Sequence, residues 1–248
     1  MCLAAFSLHA SAEYSFVFAA NRDELHERPT APAGWWDDHD GILGGRDLVA
    51  GGSWLAIDRS GRLAAVTNFR EEAKADYPLS RGRLVQDYLT FSGAPRDYLE
   101  TVRANEHDYG PFNLVIFDGR KLYYASNRSS GYELDPGIYA ISNTHFDTRW
   151  PKVTHARAQL SACLGGDDAN DCLFGLLADE TLHGDQPTTP DRTTRLMSTV
   201  FIKDALYGTR SSTVVSLSRD GKLFFSERRF GAGGIKLGES SEKFEILP

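Results

Sequence analysis

Cys2 stands directly behind Met1, at the head of the apolar run Leu3-Ala4-Ala5-Phe6. Loss of Met1 makes Cys2 the first residue, with a free α-amine beside its thiol. Such a residue holds nucleophile and base together. An α-amine titrates near about 7.7–8.0 and can take up the thiol proton near neutrality. The thiolate is the reactive form. The plainer reading of Cys2 is a small hydrophobe at a strand start. Polar residues that could serve the thiol recur where apolar runs stop. "FVFAA" leads into Asn21-Arg22-Asp23-Glu24, "LAAVT" into Asn68, "GIYAIS" into Asn143, and "LYGT" into Arg210-Ser211-Ser212. An amide is a fixed donor, a carboxylate a fixed acceptor and a guanidinium a planar fork for a carboxylate. Taken singly, each Asn also reads as a turn residue. Their recurrence together with an N-terminal thiol points to a site.

The elements that must position these residues read as strands, then helices, then strands. "CLAAFSL" and "YSFVFAA" form one expected antiparallel pair. "SWLAID" and "RLAAVTNF" flank "RSG", "FNLVIF" and "KLYYAS" flank "DGR", and "STVVSLS" and "KLFFSE" flank "RDG". Glycine in each tight turn marks a hairpin. Leu84, Val85, Tyr88 and Leu89 share one helical face, as do Tyr98, Leu99 and Val102 behind Pro95. Val153, Ala156, Leu160 and Cys163 form a third stripe, against which the short apolar "NDCLFGLLAD" is expected to pack. Cys163 and Cys172 are therefore expected in the core. "GGDDAND" and "HGDQPTTPDRTT" read as loops. "GGRDLVAGGSW" lacks the spacing and following helix of a phosphate loop and reads as turns that let the backbone pass close to something else. Trp35-Trp36 either line an apolar pocket or cap the core, and Asp37 to Asp40 read as a solvated loop. No linker divides the 248 residues, so one domain, 1–248, is expected.

Composition narrows the function classes. A net charge of -7 and a pI near 5.5 remove the basic footprint of a nucleic-acid binder. No apolar run is long enough to span a membrane, and no basic segment precedes the short N-terminal apolar stretch as in a secretory signal. Three cysteines without paired spacing argue against a disulfide framework, so a reducing cytoplasm is the expected location. The seven histidines show no H-E-x-x-H or similar spacing, and neither a metal site nor a cofactor is expected.

One set of motifs runs through nearly the whole chain: "MC", "FAANRDE", "GGRDLVAGGSWLAID", "GRLAAVTNFR", "SRGRLV", "PFNLVIFDG", "GIYAISN…WPKV" and "YGTRSSTVV…ERRF". These resemble the NRDE family, also called the transport and Golgi organisation protein 2 family. Its start is in turn similar to N-terminal nucleophile cysteine hydrolases such as penicillin V acylase and bile salt hydrolase. Those enzymes begin Met-Cys and lose the Met. Their Asp at the end of the second strand is matched by Asp23, and their two asparagines by Asn68 and Asn143. Their arginine stands in the order Arg-Asn-x-Asp, whereas this chain reads Ala20-Asn21-Arg22-Asp23, so the arginine is displaced.

The resemblance implies an α+β fold, a four-layer αββα sandwich of mainly antiparallel sheets. It implies a catalytic set of Cys2, Asp23, Asn68 and Asn143, with Asn21, Arg22, Arg210 and Trp54 facing the substrate. Arg22 or Arg210 would stand in for the displaced charge. The implied substrate is a small acyl amide or thioester. Animal members are linked to haem movement and to lipid and acyl-CoA metabolism, so the resemblance equally implies a non-catalytic carrier of a haem-like or acyl ligand. A role in secretory organisation, suggested by the family's name, finds no export feature here.

Overall fold

The computed structural model describes residues 2–71, 77–146, 148–166, 168–185 and 189–246. Strands β1 (Leu3–Leu8) and β2 (Tyr14–Leu25) open the chain. They are followed by β3 (Thr30–Trp35), β4 (Ile42–Asp47), β5 (Leu55–Asp58) and β6 (Leu63–Asn68). Helices α1 (Gly82–Thr90) and α2 (Pro95–Ala104) precede β7 (Phe112–Phe117), β8 (Leu122–Ser126), β9 (Ser129–Leu134) and β10 (Gly137–Ile141). Helices α3 (Pro151–Cys163), α4 (Ala169–Leu177) and α5 (Arg192–Ser198) lead to β11 (Tyr207–Ser218), β12 (Lys222–Phe230) and β13 (Lys236–Glu245). The backbone falls into two compact units. One holds Met1–Glu27, Pro136–Ser142 and Phe146–Glu245, and the other holds Arg28–Asp135, Asn143–His145 and Ile246–Pro248.

The first unit is a six-stranded sheet in the order β10-β1-β2-β11-β12-β13, all pairings antiparallel. Every residue of β1 is buried, as suits an interior strand read as a continuous apolar run. Alternation along the strands turns Leu3, Ala5, Val17 and Ala19 to one face. There they meet Val153, Ala156 and Leu160 of α3 and Leu173 and Leu177 of α4 in one apolar cluster. Pro151 opens α3, where its missing N–H costs nothing, and Asp168 caps α4 by accepting from Asp171 N at 3.2 Å.

The second unit is a seven-stranded antiparallel sheet in chain order, β3 to β9. Leu84, Val85, Tyr88 and Leu89 of α1 and Tyr98 and Val102 of α2 pack on Ala56, Ala64, Leu114 and Ile116. The fold is therefore α+β with two antiparallel sheets, and each unit supplies one helical layer and one sheet layer.

Several sequence expectations need correction. β2 continues to Leu25 and pairs with β11 from Tyr207 onward, so Asn21 to Asp23 and Arg210 to Ser212 lie within paired strands and do not end them. Arg210 falls at a register shift between Thr209 and Ser211. The first half of "GGRDLVAGGSW" belongs to β4 and is not a loop. Its glycines do bring backbone close: a Cβ on Gly45 would overlap the Trp54 ring, and Gly52, at φ +72°, runs against the backbone of Gly82. α5 begins inside the expected loop "HGDQPTTPDRTT", of which 186–188 lie outside the described residues, as does 167 in "GGDDAND". β13 shows no buried face of its own, because it is an exposed edge strand with charged side chains.

The largest correction concerns the cysteines. Cys163, the last residue of α3, is joined to Cys172 in α4 by a disulfide, with Cα atoms 5.5 Å apart. Three cysteines make one pair and one remainder, and the short turn between two packed helices brings this pair within bridging reach. Cys163 is buried as expected, but Cys172 is exposed. Closing so short a loop is expected to stabilise the unit by about 2–3 kcal/mol. Thermal unfolding with and without a reductant checks this: the reduced chain should melt several degrees lower, and equal melting temperatures would count against the bridge.

Candidate functional site

Residues of the first unit surround Cys2. Leu3 pairs with Asn21 across β1 and β2, which puts Cys2 one residue further along, level with Arg22. Strand alternation sends Asn21 and Asp23 to the face covered by α3 and α4, and Arg22 to the other face. Asn21, Arg22 and Asp23 are all buried.

Asn21 is a latch. Its Nδ2 donates to Leu177 O at 2.8 Å and Val200 O at 3.0 Å, and its Oδ1 accepts from Ser212 Oγ at 2.6 Å. That amide ties β2 to β11, to the end of α4 and to the segment after α5. Asp23 accepts from Thr209 Oγ1 at 2.7 Å through Oδ1, and its carbonyl accepts from Tyr207 OH at 3.0 Å. Arg210 donates to Leu25 O at 2.7 Å. Burial pulls the Arg210 guanidinium below its ordinary value, against the pull of Glu24.

A residue passed over in the sequence joins this group. Lys152, in the first turn of α3, is only 1% exposed and donates to Thr199 O at 3.4 Å. Burial pushes its ammonium below the usual lysine value, while the charges of Asp23 and Cys2 hold it up. Burial conversely raises the Asp23 carboxyl, against the pull of Lys152 and the Thr209 hydrogen bond. Burial also pushes the Cys2 thiol up, and the Asp23 carboxylate adds to this; the Asp23 backbone N–H and the Arg22 charge act the other way. Thiol, carboxylate and ammonium thus form one coupled set in a poorly solvated place. The sequence signal for Lys152 was its place in "WPKV". A lysine between proline and valine otherwise reads as a solvated helix start.

Cys2 keeps a free thiol. Met1 itself lies outside the described residues.

The second unit carries the other expected residues. Asn68 ends β6 and is exposed, and Asn143 follows β10 and is fully buried. Asn143 Nδ2 lies 2.6 Å from both Asn68 O and Asn68 Oδ1, and Asn143 O accepts from Arg70 N at 2.8 Å. The two asparagines of the expected set therefore meet each other directly. Next to them Asn113, not singled out in the sequence, donates to Thr144 O at 3.1 Å and accepts from Tyr124 OH at 2.8 Å. Trp54 lies against Gly45 of β4 and acts there as packing. Trp36 is buried, with its Nε1 donating to Gly44 O at 2.9 Å, and so belongs to the core. Among the described residues no helix is long and apolar enough to cross a membrane.

The sequence profile described as Transport and Golgi organisation 2 matches residues 1–232. A Transport and Golgi organization protein 2 homolog of Bos taurus is 31% identical over 239 residues, covering 87% of this chain and 86% of its own. The Homo sapiens homolog is 31% identical over 238 residues, with coverage of 87% and 86%. Among solved structures, the C2A mutant of conjugated bile acid hydrolase from Clostridium perfringens aligns with 99% of this chain and 92% of its own. The TM-score is 0.48 at 7% identity, a likeness too distant to carry chemistry across.

Proposed function

The chain belongs to the Transport and Golgi organisation 2 family, and we propose that it is an N-terminal cysteine amidohydrolase acting on the C–N or thioester bond of a small acylated metabolite. The observation that carries this reading is the free Cys2 thiol at the head of β1, in the same unit as the buried Asp23 carboxylate and the buried Lys152 ammonium. Loss of Met1 creates an α-ammonium beside the thiol, and the Asp23 carboxylate fixes it. The free amine takes the thiol proton. The thiolate attacks the acyl carbon, a C–S bond forms, the C–N bond breaks, and the α-ammonium protonates the departing amine. Water then cleaves the thioester and restores the thiol. Lys152 and Arg22 supply the positive charge that the displaced arginine would otherwise give. From the resemblance alone, Asn68 and Asn143 take the oxyanion role. The units are read as one domain of residues 1–248, since the chain passes between them repeatedly. The Cys163–Cys172 bridge weighs against a cytoplasmic location, because such bridges persist in oxidising compartments.

Mass spectrometry tests the proposal. The native chain is expected to begin at Cys2. Incubation with a panel of acyl amides and thioesters should leave an acyl adduct on the N-terminal peptide, released by hydroxylamine. A retained Met1, or binding of haem or acyl-CoA with no adduct on any panel member, would replace the hydrolase with a carrier.

A further inference from the structure

The first unit holds a second group of chemically capable side chains that the mechanism does not use. His155 lies in α3, Asp179 follows α4, and His183 lies further along the same non-helical segment. His155 Nε2 and His183 Nε2 each lie 2.9 Å from the same oxygen, Asp179 Oδ2. The two rings stack with centroids 3.9 Å apart and planes inclined by 25°. Exposures of 28%, 19% and 13% leave the three side chains half-buried yet reachable from solvent. The carboxylate is oriented: Oδ1 accepts from Thr181 N at 2.8 Å, which turns Oδ2 to the imidazoles. The backbone is pinned as well, with Phe201 N donating to Asp179 O at 2.8 Å and His183 N to Ser198 O at 3.0 Å.

We propose that His155, Asp179 and His183 form a binding site for a divalent first-row transition cation, with Zn²⁺ as the representative ion. One ligand atom from each residue lies within 4.8 Å of the others. Tetrahedral bonds of about 2.0–2.2 Å place neighbouring ligand atoms roughly 3.3 Å apart. The observed 2.9 Å separations reach that by opening a few tenths of an ångström. Two imidazoles and one carboxylate suit Zn²⁺ and its neighbours, whereas Mg²⁺ and Ca²⁺ call for oxygen ligands. The Thr181 contact is the kind of outer partner that fixes a ligand's orientation. The site also has a structural logic. The Cys163–Cys172 bridge ties α3 to α4 where the chain turns between them, and the cation would tie the start of α3 to the segment leaving α4.

The test uses the tag-free full chain, stripped of metal and titrated with Zn²⁺ by calorimetry. One Zn²⁺ per chain is expected at this site, with no heat from Mg²⁺. His155→Ala and His183→Ala should each weaken binding by at least about tenfold, while His107→Ala, in the second unit, should leave it unchanged. Footprinting with diethyl pyrocarbonate supplies a readout that needs no variant: Zn²⁺ should protect the peptides carrying His155 and His183. No Zn²⁺ binding, or equal binding in the wild type and both variants, would overturn the proposal. If a variant does not fold, the footprint decides, and equal modification with and without Zn²⁺ overturns it.

Discussion

Cys2→Ala is expected to lower hydrolysis of the best acyl probe by about a thousandfold or more, because no other group in the set can form the thioester. Loss of a covalent nucleophile alone costs about as much as loss of a whole catalytic triad in a well-studied hydrolase. The fold should survive. Cys2 precedes β1 and takes no part in its ladder, so removing one sulfur costs about 1 kcal/mol or less. Alkylation gives an independent reading. Without reductant, iodoacetamide should modify Cys2 in the wild type, since Cys163 and Cys172 are joined, and should modify nothing in the variant. The modification should quicken as pH rises, because burial and Asp23 hold the thiol above its ordinary value. A variant that keeps a tenth of the wild-type hydrolysis would remove Cys2 from the mechanism.

The second large effect concerns the buried charges of Asp23 and Lys152. Lys152→Met removes the cation that pulls the Asp23 carboxyl down, so the folded-state pKa of Asp23 rises further above its unfolded value. A carboxyl raised in this way is tolerated below its unfolded pKa, and its stabilising protonation is lost as pH rises through the folded value. The stability gap between wild type and Lys152→Met should therefore be smallest near pH 4 and widen towards pH 8, reaching on the order of 2 kcal/mol. Asp23→Asn leaves Lys152 without the charge that holds its ammonium up, so the folded-state lysine pKa falls further. Its gap should be near zero at low pH, where Asp23 is protonated in both states and resembles asparagine, and should move away from zero as pH rises through the folded Asp23 value. The double variant Asp23→Asn, Lys152→Met carries neither titrating group and closes the cycle. Urea unfolding from pH 4 to pH 9 measures all four chains as one coupling cycle. Single-variant differences that sum to that of the double variant at every pH would show that the charges are not coupled.

What could be read from the sequence was local. Strand alternation and glycine turns were enough for the β1–β2, β5–β6, β7–β8 and β11–β12 hairpins, since neighbouring segments pair with little chain between them. The helical stripes were equally legible, and Leu84, Val85, Tyr88, Leu89, Val153, Ala156 and Leu160 are all buried. The thiol at position 2, Asp23 and the paired asparagines carried the family resemblance. Tertiary structure decided the rest. Asn21 is a latch because β2 extends along β11, a pairing between segments far apart in the chain. Lys152 reads as a surface residue until α3 is laid over the sheet above Asp23. The Cys163–Cys172 bridge and the His155, Asp179 and His183 cluster depend on two helices folding back on each other. Their ligand spacing exists in space and not along the chain: short-range patterns are set by the backbone's own periodicity, whereas these groups meet only when packing closes the distance.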